Sequence, residues 1–361
     1  MRKTYNFCAG PAMMPEDVLQ EAQAELLDWQ GQDASILEVS HRGKEFTAVI
    51  EECEANLREL LDIPVNYRVL FMQGGGLGQF AFAPMNLLGD KKQIDFIETG
   101  SWSKKAIAEA SKYAKTNVIY STKEEGYLSI PRQRDLTNID PESAYLYFCA
   151  NETINGVEFC YDIENSPIPV VADMSSNILS RRIDVSKYGM IFAGAQKNIG
   201  PAGLTIVIIR EDLLGKASPY TPDVFNYTIQ NEKGSMLNTP PTFAIYLMNL
   251  VLRKVKERGG VAAMEKVNNR KAELLYKTID ESHLYRNPVH VDARSKMNVP
   301  FILADAKYDA LFLEKAKENN LIYLAGHRSV GGMRASLYNA MPLEGVIALT
   351  NFMKKFELDV L

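Results

Sequence analysis

The chain has few of the residues that build metal centres and disulfide frameworks: four Cys and four His among 361 residues, and only two Trp. Cys8, Cys53, Cys149 and Cys160 form no C-x-x-C pair and show no companion histidine spacing, which argues against a zinc site or any other metal centre. They read as reduced thiols of a cytosolic protein. No apolar run approaches the roughly 18 residues that a membrane span requires. The first residues, "MRKTYNFCAGPAMMP", carry basic side chains without the apolar stretch of a signal peptide, so the expected setting is cytoplasmic. A basic excess is missing too. Forty Lys and Arg against 45 Asp and Glu leave a formal charge of -5, which gives no footprint for nucleic acid. Repeats and low-complexity segments are likewise absent.

What is present is an ordinary globular composition, 46% hydrophobic and 24% charged, in a chain long enough for two domains. "PEDVLQEAQAELLDWQ" (15–30) opens with proline and acids, as a helix N-terminus prefers, and "KEFTAVIEECEANLRELL" (44–61) is a second amphipathic helix. Short apolar runs follow: "RVLFMQ", "IDFIE", "NVIY", "AYLYFCA", "IPVVAD", "MIFAGA" and "LTIVIIR". Several are continuous rather than alternating, the pattern of strands covered on both faces. Helical stretches such as "SKKAIAEASKYA" lie between them, so the expected class is α/β with a mostly parallel sheet flanked by helices. Gly259 and Gly260 are expected to stop a long helix that begins near "TPPTFAIY". Beyond them, alternating helix and strand patterns describe a smaller α+β domain of about a hundred residues. The expected division is 16–260 for the large domain, with 1–15 and 261–361 forming the small one.

Three groups of residues carry chemistry. "FMQGGGLGQFAFAP" (71–84) puts consecutive glycines between a strand and a helix, where free backbone N–H groups can cradle an anion. Gly76 to Ala81 also matches the dinucleotide fingerprint, with Asp95 and Glu98 at about the right distance. A purely structural glycine turn is the third reading of that stretch. Asp173 ends the run "IPVVAD", and Lys197 follows the run "MIFAGA". An acid and a lysine on successive strand ends face one crevice if those strands are neighbours; otherwise they are a solvated cap or an ion pair costly to bury. Finally, His41 and Arg42 in "EVSHRGKEF", and His327, Arg328 and Arg334 in "AGHRSVGGMRASLYN", sit in Gly/Ser-flanked loops suited to binding carboxylate or phosphate. His283 and His290 lack such surroundings and read as surface residues.

Pyridoxal phosphate asks for this combination: a lysine for its aldehyde, a carboxylate for its ring nitrogen and N–H groups for its phosphate. Trp102, in the polar turn "IETGSWSKK", supplies an aromatic face. "NFCAGPAMMP", "EVSHRGKEF", "QGGGLGQF", "NETINGV", "AGAQKNIGPAGLTIVI", "NTPPTFAIY" and "GHRSVGGMRASLYNAMP" occur in order along nearly the whole chain and resemble the phosphoserine aminotransferase family.

That resemblance implies a fold type I architecture with a seven-stranded sheet, pyridoxal 5'-phosphate as cofactor and a homodimer. It implies transfer of an amino group from L-glutamate to 3-phosphohydroxypyruvate in serine biosynthesis, and use of the related 4-phosphohydroxy-L-threonine in pyridoxine biosynthesis. By the same resemblance Lys197 carries the cofactor, Asp173 partners its ring nitrogen, Thr153 its phenolic oxygen, and Trp102 stacks on the ring. Gly76, Leu77 and Gln196 hold its phosphate, joined by Asn238 and Thr239 of the second subunit. Arg334 is then the α-carboxylate fork, and His41, Arg42, His327 and Arg328 form the distal anion site. Leu77 departs from the pattern, because many members carry arginine there. The alternatives are another class V enzyme, a desulfurase using a cysteine near Thr153, or a nicotinamide dehydrogenase using the glycine fingerprint.

Overall fold

A computed structural model of the chain describes residues 3–361. In chain order the first elements are β1 (Tyr5–Asn6), α1 (Glu16–Ala24), α2 (Lys44–Leu61), β2 (Tyr67–Met72), α3 (Gly75–Leu87), β3 (Gln93–Glu98), α4 (Ser101–Ala110) and β4 (Lys115–Ser121). They are followed by β5 (Leu146–Cys149), the short pair β6 (Asn151–Glu152) and β7 (Val157–Glu158), β8 (Val170–Asp173), β9 (Met190–Gly194) and β10 (Thr205–Arg210). Then come α5 (Tyr227–Glu232), α6 (Thr242–Glu257), α7 (Gly260–Asp280), β11 (Tyr285–Arg286), β12 (Asn298–Leu303), α8 (Asp309–Glu318), β13 (Leu321–Ile322), β14 (Met333–Ser336) and α9 (Leu343–Val360).

The central sheet has seven strands in the order β2-β10-β9-β8-β5-β3-β4, and only β10 runs against its neighbours. The continuous apolar runs are explained by burial on both faces. Leu146, Phe148, Val170, Ala172 and Ile191 belong to one core with α2 and α6, whereas Tyr147, Val171, Met190 and Phe192 belong to another with α3 and α4. Since β2, β3, β5, β8 and β9 all point the same way, the loops after them meet at one edge. Parallel α/β sheets bind ligands at that edge.

A separate core joins Phe7 to residues from Ala272 to Phe356, around Tyr285, Phe301 and Phe312. The chain passes between the cores within α7, whose Val261 and Met264 pack with the sheet and whose Leu275 and Ile279 pack with Phe301. Gly259 does end the preceding helix, in a left-handed conformation (φ 96°), but Gly260 is already the first residue of α7. The helix expected over 15–30 stops at Ala24, because Trp29 turns inward to pack edge-on against Tyr246. Among the described residues no helix is long and apolar enough to cross a membrane.

One buried lysine ties the C-terminal core to the site. Lys271 on α7 is fully buried, and its Nζ donates to the carbonyls of Leu337, Tyr338 and Met341 at 2.8, 2.8 and 3.0 Å. These carbonyls form the turn that follows β14, the strand carrying Arg334. Lys271→Met leaves buried acceptors unpaired and is expected to cost about 1–3 kcal/mol, measured as a lower midpoint in urea unfolding.

Candidate active site

β8 and β9 are parallel neighbours, so the strand-end acid and the lysine beyond the next strand end do share one crevice. Asp173 is the last residue of β8. Its Oδ1 accepts the Ser175 N–H at 2.9 Å, and the Ser175 hydroxyl accepts the Gly194 N–H at 3.0 Å, which stitches the two strand ends together. Lys197 lies three residues past β9, where its Nζ donates to Thr153 Oγ1 at 2.6 Å. Desolvation lowers the pKa of Lys197, and the negative charge of Asp173 works against that shift. Burial raises the carboxyl of Asp173, while its bonds to Ser175 and the field of Lys197 pull it down. An amine shifted down and a carboxyl shifted up by burial, sharing one cleft, are the marks of a functional pair.

The glycines face this pair. Gly74 and Gly75 take left-handed conformations (φ 94° and 64°) that turn the chain from β2 directly into α3. The first N–H groups of α3 have no partners within their own helix and open onto the cleft. A Cβ on Gly76 would stand 3.4 Å from Ser175 Oγ and 3.7 Å from Asp173 Oδ2, taking up space a ligand needs. The resulting cavity of about 240 Å³ is lined by Gly76, Leu77, Trp102, Asp173, Gln196 and Lys197 among others. Leu77 is well exposed at its rim. Trp102 stands in the first turn of α4 rather than in a turn between elements, and its ring centroid lies 5.2 Å from Lys197 Nζ. Thr153, buried in the β6–β7 connection, holds Lys197 by its hydroxyl and Arg334 Nη1 by its carbonyl at 3.4 Å.

The cations divide into two sets. Arg334 on β14 is mostly buried, and among the described residues no carboxylate pairs with it. His327 and Arg328 lie in the loop before β14. His327 is pushed below its ordinary pKa by burial first, then by Arg334, Lys105 and Arg328, so these cations gather at one side of the cleft. His41, Arg42, Asn238 and Thr239 do not line the cavity, and among the described residues no hydrogen bond or ion pair joins them to it. Glu52 meets Asn249 and Arg253, Asn56 meets Asn249 and Lys256, and Glu59 meets Lys256. Helices α2 and α6 therefore run side by side in one direction. The His41–Arg42 turn before α2 and the Asn238–Thr239 turn before α6 accordingly lie at the same end of this pair. Arg42, Asn238 and Thr239 are exposed, while His41 Nε2 is buried without a partner.

Two alternatives lose their residues. Asp95 is fully buried and accepts bonds from Asn117, Ser143 and the Asp140 N–H, while Glu98 accepts from Tyr127 and Ser121; neither is free to bind a ribose. Of the two cysteines that flank Thr153, Cys149 is buried in the sheet with its thiol pushed far above the ordinary range, unsuited to act as a nucleophile, and Cys160 is exposed but does not line the cavity. Glu152, Ser175 and Lys105 are the site neighbours that sequence patterns do not single out. Their partners are either distant in sequence or ordinary turn contacts.

A lysine and an acid at parallel strand ends, facing a glycine-lined helix N-terminus, are the working parts of a group-transfer enzyme of the α/β class. The class-V aminotransferase family model matches residues 4–349, and the chain belongs to that family of fold type I pyridoxal-phosphate enzymes. Within it the chain falls among the phosphoserine aminotransferases. The phosphoserine aminotransferase of Pseudomonas paraeruginosa is 54% identical over 358 residues, 99% of each chain. That of Acinetobacter baylyi is 55% identical over 355 residues, 98% of each. The solved phosphoserine aminotransferase of Bacillus circulans subsp. alkalophilus is 43% identical and covers 99% of both chains with a TM-score of 0.96. The pyridoxal-phosphate-bound enzyme of Trichomonas vaginalis is 41% identical, with a TM-score of 0.90 over 97% of this chain and 99% of that one.

Proposed function

We propose that this chain transfers the amino group of L-glutamate to 3-phosphohydroxypyruvate, yielding O-phospho-L-serine and 2-oxoglutarate. The observation that carries this reading is the convergence of Lys197, Asp173 and the free N–H groups of α3 on one cavity. The residues present suit pyridoxal 5'-phosphate: the cradle at Gly76 is open, Asp173 brings a carboxyl to the cavity for a ring nitrogen, and Trp102 offers a face beside Lys197. When bound, this cofactor supplies a sink for negative charge developing at the substrate Cα and carries the amino group between the two substrates.

The protein's part follows from its own groups. Backbone N–H groups at Gly76 and Leu77, with Gln196, bind the phosphate, and Trp102 orients the ring and excludes water. Asp173 holds a proton at the ring nitrogen, Thr153 binds the phenolic oxygen, and Lys197, with its lowered pKa, moves the proton at the substrate Cα. Arg334, charged and without a carboxylate of its own, grips the α-carboxylate bidentately. His327 and Arg328 receive the distal carboxylate or phosphate. The chain acts as a homodimer in which Asn238 and Thr239, together with His41 and Arg42, reach the partner's cavity. What supports this is their shared position at one end of the α2–α6 pair and the unpartnered His41 Nε2. We further propose the division into 16–260 and 1–15 with 261–361, supported by the separate core around Phe301, and a cytoplasmic setting, supported by four free thiols.

The test is glutamate-dependent amination of 3-phosphohydroxypyruvate beside hydroxypyruvate, which lacks the phosphate. The phosphorylated acceptor is expected to be favoured by about 10- to 100-fold or more in kcat/KM, a few charge-assisted hydrogen bonds' worth. Equal use of both acceptors would contradict the assignment. Leu77→Arg, which places a cation at the exposed rim, is expected to lower KM for the phosphorylated acceptor. An unchanged KM would mean that the missing arginine has no role here.

A further inference from the structure

We propose that Glu152 is a positioning residue for the transfer reaction, fixing where Trp102 stands over the cleft. This rests on the reading of the cleft given above and concerns a side chain that touches neither substrate nor cofactor. Glu152 has no exposed surface, and among the described residues no lysine, arginine or histidine bonds to it. Its carboxylate faces the start of α4. Oε2 accepts the Trp102 N–H at 2.8 Å, and Oε1 accepts the Ser103 N–H and the Ser103 hydroxyl, both at 2.7 Å. The Ser103 oxygen in turn accepts the N–H groups of Thr99 and Gly100 at 3.0 Å each, so through Ser103 the carboxylate also bears on the turn from β3 into α4. Asn155 takes the remaining N–H of the first turn, that of Ser101.

The fit is close enough to dictate a neighbouring residue. A Cβ on Gly100 would come within 2.4–2.6 Å of the Glu152 side chain, so glycine stands there to admit the carboxylate. The next residue, Thr153, grips Lys197 and Arg334. A single short connection thus holds the aromatic face from one side and the reactive amine and carboxylate fork from the other. An ordinary helix cap explains only the first of these, and a surface serine or aspartate would provide it. Burial pushes the Glu152 carboxyl up to about 7, and the bonds from Ser103 and Trp102 oppose that rise, so these donors and the positive end of α4 favour its charged form against desolvation. Asp173, Lys197, Cys149, Tyr127 and Tyr147 are the other ionisable groups whose charges couple to it.

Glu152→Gln keeps the shape but replaces one acceptor with an NH2 group, so either the Trp102 or the Ser103 N–H is left facing a donor. With only two tryptophans in the chain, 19F NMR of the 5-fluorotryptophan-labelled protein reads Trp102 against Trp29, which is buried in the core against Tyr246. The expected result is a displaced Trp102 resonance and an unmoved Trp29 resonance, with and without pyridoxal phosphate. Affinity for pyridoxal phosphate should weaken, and kcat fall, by about 10- to 100-fold, the scale of a misplaced reacting partner, with KM for glutamate nearly unchanged. If Glu152→Gln folds poorly, Ser103→Ala removes one donor to the same carboxylate and should move the Trp102 signal in the same direction by less. An unmoved Trp102 resonance, wild-type cofactor affinity and a loss of thermal stability alone would overturn the proposal and leave Glu152 a helix cap. Wild-type protein that fails to take up pyridoxal phosphate would instead contradict the reading of the cleft, and the cofactor-free spectra would still decide whether Glu152 places Trp102.

Discussion

Lys197→Ala protein incubated with pyridoxal phosphate is expected to lack the visible absorbance of the wild type and to lose about 10⁴-fold or more in kcat, the upper range for one acid–base group. The reason lies in what Lys197 is and is not doing in the fold. A lysine at the end of an apolar strand is a poor structural element, since desolvation penalises its charge and here lowers its pKa. Among the described residues its Nζ hydrogen-bonds only the Thr153 hydroxyl, at 2.6 Å, a neutral partner. Removing it relieves that desolvation but also takes a cation from beside Asp173, so the cofactor-free variant is expected to keep a stability close to that of the wild type. Loss of activity with unchanged or higher stability separates a functional lysine from a structural one. A small primary amine added to the assay is expected to restore part of the proton transfer. Full absorbance and activity in the variant would remove Lys197 from the chemistry.

The second large effect belongs to Asp173→Asn, expected to reduce kcat by about 10²- to 10⁴-fold. The amide oxygen still accepts the Ser175 N–H, so the stitch between β8 and β9 survives and the loss reports charge rather than architecture. The sign of a further change is set. The Asp173 charge raises the pKa of Lys197 against desolvation, so the asparagine variant is expected to titrate Lys197 at lower pH than the wild type. Reactivity of the cofactor-free protein toward an amine-selective reagent, followed against pH, measures that shift. A titration moved to higher pH would mean that Asp173 does not act on Lys197.

Much of this site can be read from local signals. The helix over 44–61 is bounded by Gly43 and a left-handed Asp62, and structure and sequence agree on both ends. The apolar runs become strands buried on both faces, and the pairing of β8 with β9 supplies the adjacency on which the Asp173–Lys197 reading depends. The glycine stretch is different: its pattern fits both a phosphate cradle and a dinucleotide fingerprint. What decides is that Asp95 spends its carboxylate on Asn117, Ser143 and Asp140, contacts that span up to 48 residues of chain. The same distance hides Glu152, whose partners lie about fifty residues earlier on α4. Nor does sequence pattern show that the His41–Arg42 and Asn238–Thr239 turns share one end of a helix pair, because that follows from the packing of α2 on α6. Long-range partners are what local periodicity does not encode.

The central claim is that Lys197 and its neighbours form a site where donor and acceptor react in turn. The measurement that tests it most directly is the half-reaction: enzyme loaded with pyridoxal phosphate is mixed with L-glutamate alone, and 2-oxoglutarate is counted. The expected result is a single rapid release of about one 2-oxoglutarate per active site, with no acceptor present, that is abolished in Lys197→Ala. No release until 3-phosphohydroxypyruvate is added, or the same release from the variant, would contradict it.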